Sequence, residues 1–410
     1  MSADFWVLLL VPFILVLSNS LLIPVLPQIQ TALGVTLFKS GLIITAFSLT
    51  AGLVIPGAGY LSDRIGRKAV MVPALVLFGL GGTAAGISAW LLKNPYPWIL
   101  AARVLQGIGG GGTYQLALAL AGDIYTGKER SRAVGYLEAA NGLGKVVAPL
   151  LGSAAALLAW FAPFFLYGLL AWPAALLVWF VCQEPPPSAP PEAKTYIAEL
   201  KQVWSKRGLG LAACFAAGFL ALFLFFGLLS YLSDVMEEKM GIKGFTRGLL
   251  VAIPVLSLTL TCSFIGVYLE KRLGPPVKLA LLLGLAVVSV ALVALALLPA
   301  GYLYFVPLVA AAVGLGIFLP GLNLLITSAA SSERGFVTAL YGTVRFFGAA
   351  LGPPAVGLGL KLGKTTLFLI FAALAGTILA LVWRLVDPNQ MLPRNLVKTS
   401  GDNDNTAANN

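Results

Sequence analysis

The sequence predicts an all-α integral membrane protein with twelve spans in two pseudo-symmetric six-helix bundles. Three observations point there: an apolar composition, apolar runs of span length and an internal repeat. Of 410 residues, 59% are hydrophobic and only 10% charged, with a mean hydropathy of +0.92, whereas an average soluble domain is roughly 25% charged. The charges are segregated, and the runs between them reach the ~20 residues that cross a ~30 Å hydrocarbon core as a helix.

Runs bounded by charges or by Pro, Asn and Gly clusters predict spans over 5–28, 41–60, 69–91, 97–121, 131–157, 160–182, 208–231, 246–269, 277–299, 303–328, 336–360 and 365–387. The first lacks a small-residue cleavage site and reads as a retained span rather than a removed signal peptide. Between spans 6 and 7 lies a polar stretch whose Pro185, Pro186, Pro187, Pro190 and Pro191 stiffen its start ahead of a short amphipathic segment. The expected organisation is a bundle over 1–182, a linker over 183–207, a second bundle over 208–387 and a solvated, disordered tail over 388–410.

The two bundles carry matching segments, a common construction for carriers. Tyr60-Leu61-Ser62-Asp63-Arg64-Ile65-Gly66 after span 2 is echoed by Tyr268-Leu269-Glu270-Lys271-Arg272-Leu273-Gly274 after span 8. Glu129-Arg130 entering span 5 corresponds to Glu333-Arg334 entering span 11, and at the same offset Gly144 and Pro149 meet Gly348 and Pro353.

A surplus of 27 Lys+Arg over 16 Asp+Glu follows topology. With both termini inside, that side collects Arg64, Arg67, Lys68, Lys128, Arg130, Arg132, Lys271, Arg272 and Arg334 with most of the other bases. The opposite side holds Lys39, Lys93, Lys239, Lys243, Arg247, Lys361 and Lys364. That asymmetry predicts cytoplasmic termini in the plasma membrane. No basic block is interleaved with stacking aromatics, so no nucleic-acid role is expected. Cys182, Cys214 and Cys262 fall within apolar stretches and read as core residues, giving no metal site, cofactor or redox signal.

Gly59-Tyr60-Leu61-Ser62-Asp63-Arg64-Ile65-Gly66-Arg67-Lys68 resembles the loop motif G-x-L-x-D-R-x-G-R-K of the major facilitator superfamily. The resemblance to that family extends over all twelve spans. It implies two bundles around a central cavity, alternating between inward-open and outward-open forms. Its loop cluster, with Lys271 and Arg272 at the matching place in the second half, implies a latch of the outward-open form: Asp63 against the start of span 11, Arg67 with Asp123. Gly59 and Gly66 permit close backbone approach and a tight turn. The alternative is that Arg64, Arg67 and Lys68 only enforce topology.

Arg103-Val104-Leu105-Gln106-Gly107, followed by Gly109 and Gly110, resembles the family motif in which an embedded Arg is linked to proton transfer. An Arg snorkelling to the outer interface, or satisfied by carbonyls, is the competing reading. Gly107, Gly109 and Gly112 also fit G-x-G-x-x-G, yet no strand precedes them, which excludes a dinucleotide loop. Gly144-Lys145-Val146-Val147-Ala148-Pro149-Leu150-Leu151-Gly152 is close to the antiporter motif G-x-x-x-G-P-x-x-G-G, departing from it at Ala148 and Lys145. Gly348, Gly352 and Pro353 repeat the pattern, which implies export; ordinary small-residue packing is the alternative.

Insertion-scale costs of about 2.5–3.5 kcal/mol per central charge place Arg103, Glu138, Lys145 and Arg345 against a protein cavity rather than lipid. Glu138, Asn141 and Lys145 share a helical face, and the repeat sets Arg345 opposite Asn141. Glu138 reads as the proton carrier, or as one member of a fixed ion pair. Span 1 offers Ser18, Asn19 and Ser20 where many drug exporters of the family carry an acid; Gln106, Gln115 and Asn323 are further polar candidates. The expected function is secondary active, proton-coupled efflux of small amphiphiles by a monomer in the bilayer. Export or flipping of an anionic or zwitterionic amphiphile is the alternative, with three embedded bases as charge partners. Paired carboxylates, a His cluster or a nucleophile beside a base are missing, so an enzyme is not expected.

Overall fold

A computed structural model describes residues 3–184, 193–271, 274–299, 301–329 and 334–391. Span 1 is broken into Ala3–Leu8, Leu10–Ser20, a 3-10 turn over Ile23–Val25 and Leu26–Leu33, with Pro24 and Pro27 at the break removing backbone donors. Span 2 is Leu37–Ile65, span 3 Arg67–Leu91, and span 4 is Tyr96–Gly111 followed by Tyr114–Ile124. Spans 5 to 8 are Gly127–Ala156, Ala162–Val181, Ala193–Met240 and Gly244–Lys271. Spans 9 to 12 are Pro275–Leu297, Phe305–Ala329, Arg334–Gly359 and Lys364–Leu385.

Nine helical stretches among the described residues are long and apolar enough to cross a membrane by length and composition alone. Spans 4, 5 and 11 fall outside that set. Span 4 is broken into helices of 16 and 11 residues, while spans 5 and 11 carry glycines and prolines together with Glu138, Lys145 and Arg345.

Each half packs in the same pattern. Span 3 lies on spans 4 and 6, span 2 on span 4, and span 1 on span 5; correspondingly, span 9 lies on spans 10 and 12, span 8 on span 10, and span 7 on span 11. The halves meet along two related seams, span 2 on span 11 and span 5 on span 8, and where the tip of span 1 reaches span 7. Along the first seam Gly41 lies on Pro353 and Pro354, Gly357 on Phe38, and Thr343 Oγ1 donates to Gly52 O at 2.9 Å. Along the second, Gly248 lies on Pro149 and Ser153, and Leu157 is the neighbour of Gly244. These contacts join the halves on the side of the molecule away from the termini.

Span 7 corrects two expectations. Its helix continues to Met240 rather than stopping at 231, because Asp234, Glu237 and Glu238 end the apolar run without ending the helix. Its first turns begin at Ala193, so the amphipathic segment is continuous with the span. Arg247, expected at the outer end of span 8, lies there at 1% exposure, paired with Glu237.

Candidate functional site

The antiporter-like glycines act inside each half. Gly144 lies against Phe13 O and Val16, and Gly152 against Leu21 O at the break of span 1. Gly348 and Gly352 lie against Phe219 O and Phe223 O of span 7. The backbone at the prolines of the same helices meets the other half, Pro149 O at Gly248 of span 8 and the Pro353–Pro354 peptide at Gly41 of span 2. One face of each motif helix therefore locks onto its own half while its proline rests on the opposite half.

Arg103 lies at the centre of the first half and is 0% exposed. Its Nε donates to Ile43 O at 3.1 Å, Nη1 to Gln106 Oε1 at 2.6 Å, and Nη2 to Ser18 O at 3.0 Å and Asn19 Oδ1 at 3.1 Å. Its guanidinium carbon stands 4.6 Å from the Phe47 ring centroid and 5.7 Å from that of Tyr167, within cation–π range. The Tyr167 hydroxyl also donates to Ser18 O at 2.8 Å, and Asn19 Nδ2 to Ser48 Oγ at 2.6 Å. The snorkelling reading is thereby overturned: neutral acceptors on spans 1, 2 and 4 hold the cation inside. In this conformation Asn19 and Gln106 face Arg103 rather than open space, and two embedded bases, not three, remain near the seam.

Those two are Lys145 on span 5 and Arg345 on span 11, electrostatic neighbours across the halves. Glu138 is exposed to the space between the halves and accepts a hydrogen bond from the Tyr114 hydroxyl. Lys145 feels the charges of both Arg345 and Glu138, and Cys262 of span 8 borders the same group. The Arg345 guanidinium lies 5.3 Å from the Tyr341 ring centroid, and that ring stacks on Phe215 at 6.0 Å. Gln115 places its amide against Gly342 of span 11, at the edge of the cluster. Asn141 turns away, its Nδ2 3.4 Å from Pro12 O of span 1. Asn323 is half-buried on span 10, its Oδ1 enclosed without a hydrogen-bond partner among the described residues.

At the terminal side, Gly66 turns the chain with φ 103°. Arg67 forms ion pairs with Asp63 and, at 3.1 Å, with Asp123, and its Nη1 donates to Ser62 Oγ at 2.8 Å. Arg64 lies 4.4 Å from the Tyr60 ring centroid. Gly59 does not serve close approach here, since a Cβ added there meets open space. Arg272 lies outside the described residues, and only the backbone of Lys271 is described.

Sequence reasoning missed Glu184, whose carboxylate accepts from the backbone N–H of Arg67 and, at 3.1 Å, of Lys68, while Lys68 Nζ donates to Cys182 O at 2.8 Å. It caps the N-terminus of span 3 with a full charge. Glu184→Ala is expected to lower stability by ~1 kcal/mol, read as a lower thermal midpoint of the purified protein, with Glu184→Gln intermediate. Tyr114, Tyr341 and Cys262 were missed as well.

The Major Facilitator Superfamily model matches residues 8–353. The chain is 38% identical to the Bacillibactin exporter of Bacillus subtilis (strain 168) over 92% of this chain and 94% of that protein. It is 28% identical to the Multidrug efflux protein YfmO of the same organism over 82% and 81%. Among solved structures, a bacterial homolog of the human lysosomal transporter Spinster, inward-facing and occupied, superposes with TM-score 0.75 at 18% identity, covering 93% of this chain and 96% of that one. This chain belongs to the Major Facilitator Superfamily. It is a multi-pass membrane transporter and not an enzyme, and its relatives include proteins named as exporters.

Proposed function

We propose that this transporter is a secondary exporter of a small amphiphilic molecule, driven by protons entering through Glu138. The observation that carries the reading is the placement of Glu138: exposed between the halves, hydrogen-bonded by Tyr114 of its own half, and electrostatically linked to Arg345 of the other half through Lys145 and Tyr114. A carboxylate so placed stands between groups of both halves, so a change in its charge is felt by both. Bundles over 1–182 and 208–387, joined by 183–207, rock about this group; the expected tail is not solvated at its start, because Pro388–Met391 is a helical turn with Met391 buried, and 392–410 lie outside the described residues. Both termini are cytoplasmic in the plasma membrane, and a monomer suffices. The loop cluster around Asp63 and Arg67 latches one of the two forms, and Arg103 shapes span 1 around the proton path.

Charge arithmetic ties substrate sign to coupling. A cationic substrate and a proton compete for ionised Glu138, which gives exchange. An anionic substrate is drawn to Lys145 and Arg345 instead, so its export needs no exchange with a proton at Glu138. The second reading, an anionic substrate, is favoured by those two bases facing one carboxylate and by the relative named Bacillibactin exporter.

A panel of bacillibactin and the cationic dye ethidium, offered to inverted vesicles with an acidic interior, separates the two. Accumulation of ethidium supports proton exchange; accumulation of bacillibactin alone supports the second reading. Accumulation of neither, with family carriers active under the same conditions, removes both.

A further inference from the structure

A hollow opens between spans 9 and 10 on the outside of the second half. The two helices cross at Gly284 and Gly314, where a Cβ added to either glycine would strike the other's carbonyl oxygen. Beyond that crossing, toward the end away from the termini, the small side chains of Ala291, Ala294 and Ala310 leave a groove of about 540 Å³. Val290 and Val306, both 70% exposed, stand at its edges, and every side chain that lines it is apolar. Its volume falls in the ~300–1,000 Å³ range of sites that take small ligands.

The depth and level of the groove select the occupant. Along span 9 it runs from Ala286, the middle of Pro275–Leu297, to Leu298, a rise of ~18 Å at ~1.5 Å per residue. One leaflet contributes half of a ~30 Å hydrocarbon core, ~15 Å, so the groove has the depth of one acyl chain. At its mouth the chain turns through Tyr302–Tyr304, and Tyr302 is exposed, a side chain that marks headgroup level in membrane proteins.

A cation overhangs that mouth. Lys364, the first residue of span 12, donates from Nζ to Leu298 O and lies 5.4 Å from the Tyr304 ring centroid. The Tyr304 hydroxyl donates to the same carbonyl at 3.2 Å, and Thr365 Oγ1 donates to Ala296 O at 3.2 Å, which fixes the start of span 12 above the end of span 9. An ammonium carries three donors, and among the described residues Lys364 forms no ion pair. From Pro275 to Val386 the sequence holds a single acid, Glu333, the residue before span 11, which begins at the end near the termini. Passing contact with bulk lipid requires neither a hollow of leaflet depth nor a cation fixed at its mouth.

The geometry points to a lipid site: one acyl chain of an anionic glycerophospholipid lies in the groove between spans 9 and 10, and its phosphate takes the remaining donors of Lys364. The inference rests on the membrane-spanning fold and is independent of what the transporter moves.

The test uses the purified full-length chain in phosphatidylcholine nanodiscs with a trace of phosphatidylglycerol carrying a photoreactive diazirine on one acyl chain. Mass spectrometry of the irradiated protein is expected to place adducts on peptides of spans 9 and 10. Unlabelled phosphatidylglycerol should compete them away, and the same amount of added phosphatidylcholine should not. Loss of a charge-assisted hydrogen bond in Lys364→Gln is expected to lower the adduct yield about tenfold. Lys364→Arg, whose guanidinium also pairs with phosphate, should stay within about twofold of the parent. Lys361→Gln removes the same charge from the preceding turn and should leave the yield unchanged, while Ala294→Phe fills the groove and should abolish the adduct. Adducts spread evenly over the lipid-facing helices, equal competition by phosphatidylcholine, equal losses in the two Gln variants or a parent-like yield in Ala294→Phe each overturn the site. Should a variant fail to fold, the competition on the parent protein decides.

Discussion

Arg103→Ala is expected to cost about 3–5 kcal/mol of stability. The side chain is 0% exposed and fills the middle of the first half, so truncation leaves a cavity ringed by Phe47, Tyr167 and Gln106. It also strips donors from Asn19 Oδ1 and Gln106 Oε1, which sit too deep to recover them from solvent. Arg103→Lys keeps the charge but loses the fork that joins Ser18 of span 1 to Ile43 of span 2. The thermal midpoint in detergent should therefore fall furthest for Ala and less for Lys. An alanine variant as stable as the parent would show that the guanidinium contributes little to the bundle.

Gly152→Ala is the second large effect. A Cβ there runs into Leu21 O at the break of span 1, and backbone cannot rotate aside as a side chain can. Overpacking of this kind costs about 1–3 kcal/mol. Gly352→Ala meets Phe223 O and is expected to behave alike. Gly376 in span 12 is the internal control, because a Cβ there meets nothing within 4 Å; Gly376→Ala should gain up to about 1 kcal/mol from helix propensity alone. Thermal midpoints of the three variants check the contrast, and equal shifts would contradict it.

The fold was legible because crossing a membrane demands long apolar runs, and the repeat of Gly144 and Pro149 as Gly348 and Pro353 announced two halves that the packing pattern then displays. Pro24 and Pro27 were visible as well, yet the break they produce in span 1 is a matter of which carbonyls find donors, and residue identity does not say that. Span 7 was cut short because a run of acids resembles a helix end when only hydropathy is read.

The site was legible in its charges and illegible in its partners. A cation in an apolar span must be compensated, but two of the four acceptors that hold Arg103 are backbone carbonyls, which every residue possesses. Tyr114 meets Glu138 only because span 4 is broken at Gly112 and Thr113 and restarts beside span 5. Glu184 caps a helix that begins more than a hundred residues earlier, a proximity with no local pattern in sequence.

The central claim is that substrate and proton compete at Glu138. Proteoliposomes loaded with a pH-sensitive dye, under an imposed pH gradient, measure proton movement on addition of a transported member of the panel, in the parent and in Glu138→Gln. The account predicts proton flow opposite to the substrate in the parent and none in the variant. Proton flow in the substrate's own direction, or substrate movement with no proton flow in the parent, would contradict it.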